Sequence, residues 1–502
     1  MSLLWAKPGK AGLDVRSISE TISSVASRFR GSSLKARGTR GAAILGAATG
    51  VERTLRLARN MLLARILAPE AFGTMAMVIA ASSIFETLSD AGVRQSIIQS
   101  KGGADADYLN VAWWFQSIRG LGLYLVGILA APWVSHFYRM PELLPLMRVA
   151  FIAMIFNGLV SPRAYVLEKK LQFGRFVILT QGSGLLSTLL TIGLAFYLQN
   201  VWALVIGLVA EAVIRCILSF VLCPLSPKIS IDRGSLKELL NFARGILGLS
   251  FLTVIIRQMD IIVLGKVVSG PGLLGVYYLA LQLADQPVQL FDQIVGRVLL
   301  PAFAEKQDNK ESICRAMLAI ARATGVLGIP LLAFAISCAR PILSIVYGSK
   351  YGEAAIPFSL LCVWGLVFTQ AINVASIFLG MGLPRLHRRA VALRGLLLAG
   401  LIYPATVYWG LTGAAAAVLA AYSAGLIVPF GWLRKLIKLD LTEYMRSWLP
   451  GLLLSALVLA PVGLLKLAGV RYVGINIVTA GLSCLAALVI GAFHLNRRYK
   501  LI

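Results

Sequence analysis

Apolar runs of about 20 residues recur from Gly41 to Phe493, each long enough to cross a bilayer as a helix. In hydrocarbon a backbone amide has no water to bond, so a spanning segment must satisfy its own N–H and C=O groups. Hydrophobic residues make up 58% of the 502-residue chain and charged residues 14%, against roughly 25% charged in an ordinary globular protein. A polytopic, all-α membrane protein is the expected fold class, not three soluble domains.

Fourteen spans are predicted, at about 42–66, 74–98, 109–137, 144–166, 176–198, 202–224, 242–265, 273–300, 314–338, 355–381, 390–409, 413–433, 447–465 and 473–493. The first is the weakest by hydropathy, since it holds Glu52, Arg53, Arg56 and Arg59. Loop charges support the count. With the N-terminus inside, the inner loops carry about 29 Lys or Arg and the outer loops about 7, the bias of the positive-inside rule. Both termini are therefore expected in the cytoplasm. The same bias accounts for the net charge of +26 without nucleic acid, which is not an expected partner. Residues 1–41 form a basic arm. Val15, Ile18, Ile22, Val25 and Phe29 fall at helical spacing there, which suits an amphipathic helix on the lipid surface or a disordered topogenic tail.

The chain repeats itself at an offset of about 200. Ala58-Arg59-Asn60-Met61 resembles Ile256-Arg257-Gln258-Met259, and LARILAPEAFG (Leu63–Gly73) resembles LGKVVSGPGLLG (Leu264–Gly275). Asp90 and Arg94 stand opposite Asp292 and Arg297. Six spans thus correspond to the next six. The division is a first lobe over 42–235, a second over 236–437, and two extra spans with the C-terminus in 438–502. Two pseudo-symmetric lobes of equal orientation, with a cleft between them, suit alternating access.

All sixteen lysines lie outside the spans, whereas Arg53, Arg56, Arg59, Arg94, Arg119, Arg148, Arg215, Arg257, Arg297, Arg322 and Arg394 lie inside or at their edges. A guanidinium facing lipid at mid-membrane costs roughly 2.5–3.5 kcal/mol on insertion scales, so most must face water, an acid or the interface. Glu52, Arg56 and Arg59 fall within about 60° on the first helix. Planar guanidinium forks suit phosphate, so Arg56 and Arg59, with Arg257 opposite, are candidate ligands for a phosphate-bearing substrate. An ion-pair network in which Glu52 neutralises Arg56 is the structural alternative. Tyr278, Gln282, Asp285, Gln289 and Asp292 share one face of the eighth span, and Ser83, Glu86 and Asp90 one face of the second. Glu52, Glu86, Asp260 and Asp285 are the candidates for a hydrated path or for ion coupling. Glu211 and Arg215, four residues apart, have the spacing of an intrahelical pair. The six cysteines have no CxxC and the histidines His136, His387 and His494 are scattered, so no metal site or catalytic group is expected.

Leu63–Lys101 (LARILAPEAFGTMAMVIAASSIFETLSDAGVRQSIIQSK), Arg257–Ala280 (RQMDIIVLGKVVSGPGLLGVYYLA), Val298–Asn309 (VLLPAFAEKQDN) and Ile345–Leu360 (IVYGSKYGEAAIPFSL) resemble the polysaccharide-transporter branch of the multidrug/oligosaccharidyl-lipid/polysaccharide exporter superfamily. The resemblance covers about residues 42–440. It implies a flippase, not an enzyme, that moves undecaprenyl-pyrophosphate-linked oligosaccharide units for exopolysaccharide, capsule or O-antigen. Membrane lipids and polysaccharide polymerase or export machinery are the implied partners. With no P-loop in the chain, the implied drive is an H+ or Na+ gradient, with no cofactor. A multidrug or cation antiporter of the same superfamily and a peptidoglycan-precursor flippase remain alternatives within the transporters. A polysaccharide polymerase or ligase would need a large outer loop, and the longest here is about 339–353.

Overall fold

The computed structural model describes residues 34–88, 92–170, 172–228, 232–246, 249–294, 299–305, 309–467 and 473–499. The arm up to residue 33, with its helical spacing of Val15 to Phe29, lies outside them, as do Asp90 and Arg297. Among the described residues every regular element is helical. The principal helices are α1 (Leu34–Ile66), α2 (Pro69–Leu88), α3 (Ala106–Tyr138), α4 (Leu143–Ala150), α5 (Ile152–Leu159), α6 (Phe173–Leu198) and α7 (Trp202–Leu222). They continue with α8 (Leu249–Val267), α9 (Pro271–Ile294), α10 (Lys310–Ser337), α11 (Ala355–Gly380), α12 (Pro384–Ile437), α13 (Leu449–Leu467) and α14 (Val473–Tyr499).

By length and hydropathy, eight helices among the described residues can cross a membrane, or nine if Leu143–Leu159 and Arg163–Lys169, bent by 61°, form one span. The principal helices longer than α4 and α5 that fall outside this set are α1, α2, α8 and α9, which carry Arg56, Glu86, Asp260 and Asp285. A helix that lines a polar cavity trades apolar residues for polar or charged ones on the face it turns to that cavity.

Two expected spans are divided. The one at 74–98 comprises α2 and a separate helix, Val93–Gln99, which begins after Gly92 at φ +61°. The one at 144–166 is broken at Val160–Pro162, where Ser161 is held by the Ser219 hydroxyl and by the Cys223 carbonyl. The expected pair 390–409 and 413–433 is present as the two helical limbs of α12, which meet at Gly410 with φ +53° and ψ −132°. Its two limbs run antiparallel. A Cβ on Gly413 would lie 1.8 Å from the Ala405 carbonyl oxygen, and one on Gly425 3.2 Å from Arg394 Cβ.

The internal repeat has a three-dimensional counterpart. α2 and α9 cross at their N-terminal ends, where a Cβ on Gly73 would lie 1.8 Å from the Pro271 carbonyl oxygen. Reciprocally, a Cβ on Gly275 would lie 1.9 Å from the Pro69 carbonyl oxygen. Residues 69 and 73 correspond to 271 and 275 in the repeat, so each copy presents the same backbone to the other, as a local two-fold axis requires. The largest buried cluster surrounds this crossing and includes Leu63, Met77, Tyr277 and Phe358. The last two helices, α13 and α14, pack against α10.

Candidate functional site

α1 is the hinge of the site because it packs chiefly along α6, leaving its other flank to face α9. Taking Glu52 as zero at 100° per residue, Arg56 lies at about +40°, Asn60 at about +80° and Arg53 at about +100°. Those three turn towards α9: the Arg53 guanidinium donates to Gln289 Oε1 at 3.0 Å and the Asn60 amide to Gln282 Oε1 at 3.3 Å, while Arg56 borders the space between the helices. Arg59 at about −20°, Leu55 at about −60° and Val51 at about −100° turn towards α6.

Between α1, α8 and α9 lies a cavity of about 640 Å³, lined by Arg53, Arg56, Arg257, Asp260, Asp285 and Gln289 among others. Its polar walls are cross-linked. The Arg257 guanidinium lies 3.5 Å from Asp285 Oδ2, which also accepts a 2.6 Å hydrogen bond from the Gln289 amide. The Gln258 amide donates to the Ser83 hydroxyl of α2 at 3.1 Å. Arg257 also stands over the Phe368 ring, 5.5 Å from its centroid. Asp260 is 4% exposed; it accepts from the Tyr277 hydroxyl at 2.9 Å and from the Ile261 amide at 2.9 Å. Neither partner carries a charge.

A second cavity, of about 620 Å³, opens within the first half of the chain. Arg94, Arg119, Arg215, Glu86, Asn157 and Gln181 contribute to its walls, with Glu52 and Arg56 at its edge. Glu86 accepts from the Asn157 amide at 3.1 Å, and Arg94 grips Glu168 in bidentate fashion. Arg215 pairs with Glu211 one turn away. That pair follows from its i, i+4 spacing, but its position on a cavity wall does not.

Of the predicted residues, Arg56, Arg257, Glu52, Asp260 and Asp285 meet at the central cavity. Glu86 does not; it belongs to the second cavity, while Ser83 on the same helix faces the first. Arg59 also departs from the expectation. It lines neither polar cavity but a groove between α1 and α6, because the stripe of Glu52, Arg56 and Arg59 runs along the crest of α1 and one flank of that crest is covered by α6. Arg94 pairs with Glu168. Arg56 forms a 2.5 Å pair with Glu52, the structural alternative foreseen for it. With Arg56 about half exposed, such an i, i+4 pair is weak and an incoming dianion can compete for the guanidinium. Arg53 escaped the helical-wheel stripe by its 100° offset, and only the side on which α9 sits reveals its role.

The sequence profile of a family described as polysaccharide biosynthesis protein matches residues 62–356. The chain belongs to this family. The resemblance seen in Leu63–Lys101 and in the later stretches is thereby borne out. Among this member's relatives, a lipopolysaccharide biosynthesis protein of Escherichia coli K12, WzxC, is 24% identical over 69% of the chain and 70% of its own length. The amylovoran biosynthesis protein AmsL of Erwinia amylovora is 28% identical over 65% of the chain and 85% of its own length. The fold of the family member is shared with the lipid II flippase MurJ in an inward closed conformation, with a TM-score of 0.70 at 14% identity over 91% of this chain and 99% of that one. A multidrug resistance transporter of the MATE family, inward-facing, superposes with a TM-score of 0.59 over 77% of this chain and 94% of that one.

Proposed function

We propose that this chain moves undecaprenyl-pyrophosphate-linked oligosaccharide repeat units from the cytoplasmic to the outer leaflet of a bacterial inner membrane by alternating access. The observation that carries the reading is the arginine-bearing cavity between α1, α8 and α9 in a member of a polysaccharide-biosynthesis family. Arg56 and Arg257 hold the pyrophosphate from opposite walls, displacing the Glu52 and Asp285 carboxylates from their guanidinium groups. The amides of Gln282, Gln286 and Gln289 and the acids of both polar cavities offer the donors and acceptors that sugar hydroxyls use. No bond is made or broken; the protein supplies a wet path for a head group that bilayer hydrocarbon excludes.

The lobes are residues 42–235 and 236–437, with 438–502 appended. The loop charge bias supports cytoplasmic termini. The α2–α9 crossing then lies on the outer side and the cavity opens inward. A buried carboxylate whose direct hydrogen-bond partners are both neutral is costly, so Asp260 takes up a proton or Na+ and couples that gradient to the lobe movement. The product leaves towards a polysaccharide polymerase and its export machinery.

The test is transfer of a fluorescent lipid-linked oligosaccharide between leaflets of vesicles that hold the purified chain, read with a quencher that cannot cross. Arg257→Ala is expected to slow transfer by about tenfold or more, the loss of one charge-assisted contact, while the protein stays folded in detergent. Wild-type rates in both Arg56→Ala and Arg257→Ala would remove the anion site, and no transfer by the wild-type chain would remove the function.

A further inference from the structure

The groove between α1 and α6 has a volume of about 360 Å³ and walls that are mostly aliphatic, with Val51 and Leu55 from α1 and Ile178 and Leu185 from α6, while Gln181, Thr188 and Glu211 add polar atoms to its lining. Exposure of such residues is ordinary in a span that faces lipid. Three observations set this groove apart. Gly182 and Gly184 lie along it, and a Cβ on Gly182 would meet nothing closer than 3.9 Å, while one on Gly184 would meet nothing within 4 Å. The groove is therefore recessed where side chains would fill it. Arg59 lies on its wall, with a single long 3.4 Å contact to the Asn60 side chain of its own helix and no ion pair among the described residues. And Glu52 and Arg56 border the groove together with both polar cavities, so an apolar trough, a guanidinium pair and two polar chambers adjoin one another around the same two residues.

Resting on the transport reading above, we propose that this groove seats the first isoprene units of the substrate's polyprenyl chain, with Arg59 on the phosphate nearest the chain, Arg56 and Arg257 on the pyrophosphate as above, and the sugars in the polar cavities beyond. The order of environments along the protein, aliphatic, cationic, polar, is the order of parts along a polyprenyl-pyrophosphate-linked glycan. A membrane phospholipid fits less well. It carries two chains where the groove is a single furrow, and its small head group would leave most of the two cavities unoccupied. An unpaired guanidinium beside hydrocarbon is costly to maintain, and an anion anchored by its own apolar tail removes that cost without leaving the bilayer.

The experiment uses the full-length chain in vesicles of phosphatidylethanolamine and phosphatidylglycerol with a polyprenyl phosphate that bears a diazirine in its first isoprene units. Labelled positions are then mapped by mass spectrometry. Label is expected on α6 around Ile178–Leu185, suppressed by excess unmodified polyprenyl phosphate but not by the same excess of phosphatidylglycerol. It is expected to fall about tenfold, the equivalent of one lost ionic contact, in Arg59→Gln, and also in Gly182→Leu or Leu185→Trp, which fill the groove. Equal labelling of exposed residues on α13 and α14 such as Leu453 and Val489, or equal competition by phosphatidylglycerol, would make the groove an ordinary lipid-facing surface and overturn the proposal. If oligosaccharide transfer persists in wild type while the label maps elsewhere, only the groove assignment falls. If transfer is absent as well, the transport reading falls with it.

Discussion

At the scale of single residues, two of the arginines on the central cavity are each paired with an acid. Arg56 rests on Glu52 and Arg257 on Asp285, and in the proposed transport cycle the substrate's pyrophosphate takes the place of those acids. Asp260 is different in kind. Its hydrogen-bond partners are a tyrosine hydroxyl and a backbone amide, so nothing charged in direct contact balances it. Asp260→Asn is therefore expected to leave the protein folded and substrate bound but to uncouple transfer from an imposed ΔpH or Na+ gradient. Vesicle flux with and without each gradient measures this, and undiminished gradient dependence in the variant would exclude Asp260 as the coupling group. These residues were partly legible in advance. Intramembrane charges announce themselves against a hydropathy background, which is why Arg56, Arg257, Asp260 and Asp285 could be singled out. What the wheel of α1 could not supply was the identity of its neighbours. With α6 on one flank and α9 on the other, a 60° stripe divides between two compartments, and Arg53 joins the site from outside the stripe.

At the scale of elements, the decisive positions are glycines with backbone contacts. The α2–α9 crossing brings carbonyl oxygens to within 2 Å of where a Cβ would stand at Gly73 and Gly275, so any side chain there must push the two helices apart. Overpacking of this type costs roughly 1–3 kcal/mol. Gly73→Val is accordingly expected to shift the conformational equilibrium by up to about a hundredfold towards the state open on the crossing side. Accessibility of a cysteine at position 278, probed from each side of the membrane with an impermeant thiol reagent, would report the shift. Unchanged accessibility would mean that this crossing is not the gate. Gly410 has another task. Its φ of +53° with ψ of −132° is open to glycine and strained for other residues. Gly410→Ala is expected to destabilise the α12 hairpin by roughly 1–3 kcal/mol, seen as a lower midpoint in thermal unfolding in detergent. An unaltered midpoint would show that the turn relaxes freely. The glycine turn itself was readable as a gap between two predicted spans, because a short polar or flexible break between apolar runs is a local signal. The crossing was readable only as repeated sequence, LAPEAFG against VSGPGLLG, since nothing in one chain segment reveals that it will touch its own copy.

At the scale of the whole molecule, helix positions were the most legible feature, because burial in hydrocarbon writes the same rule into every span. The division of the interior into three compartments was the least legible, since it follows from how far the helices stand apart. The helices α1, α2, α8 and α9, which lie outside the set of membrane spans recognised among the described residues, are the ones that line the central cavity or cross at its end, so charged and polar residues within apolar runs marked its walls. The reciprocal contact of Gly73 with Pro271 and of Gly275 with Pro69 has one more consequence. The two contacts are related by the local two-fold, so a displacement that preserves that axis changes both distances equally. A movement that keeps this symmetry therefore relieves both contacts at once, and whatever separates one pair of backbones on that side separates the other.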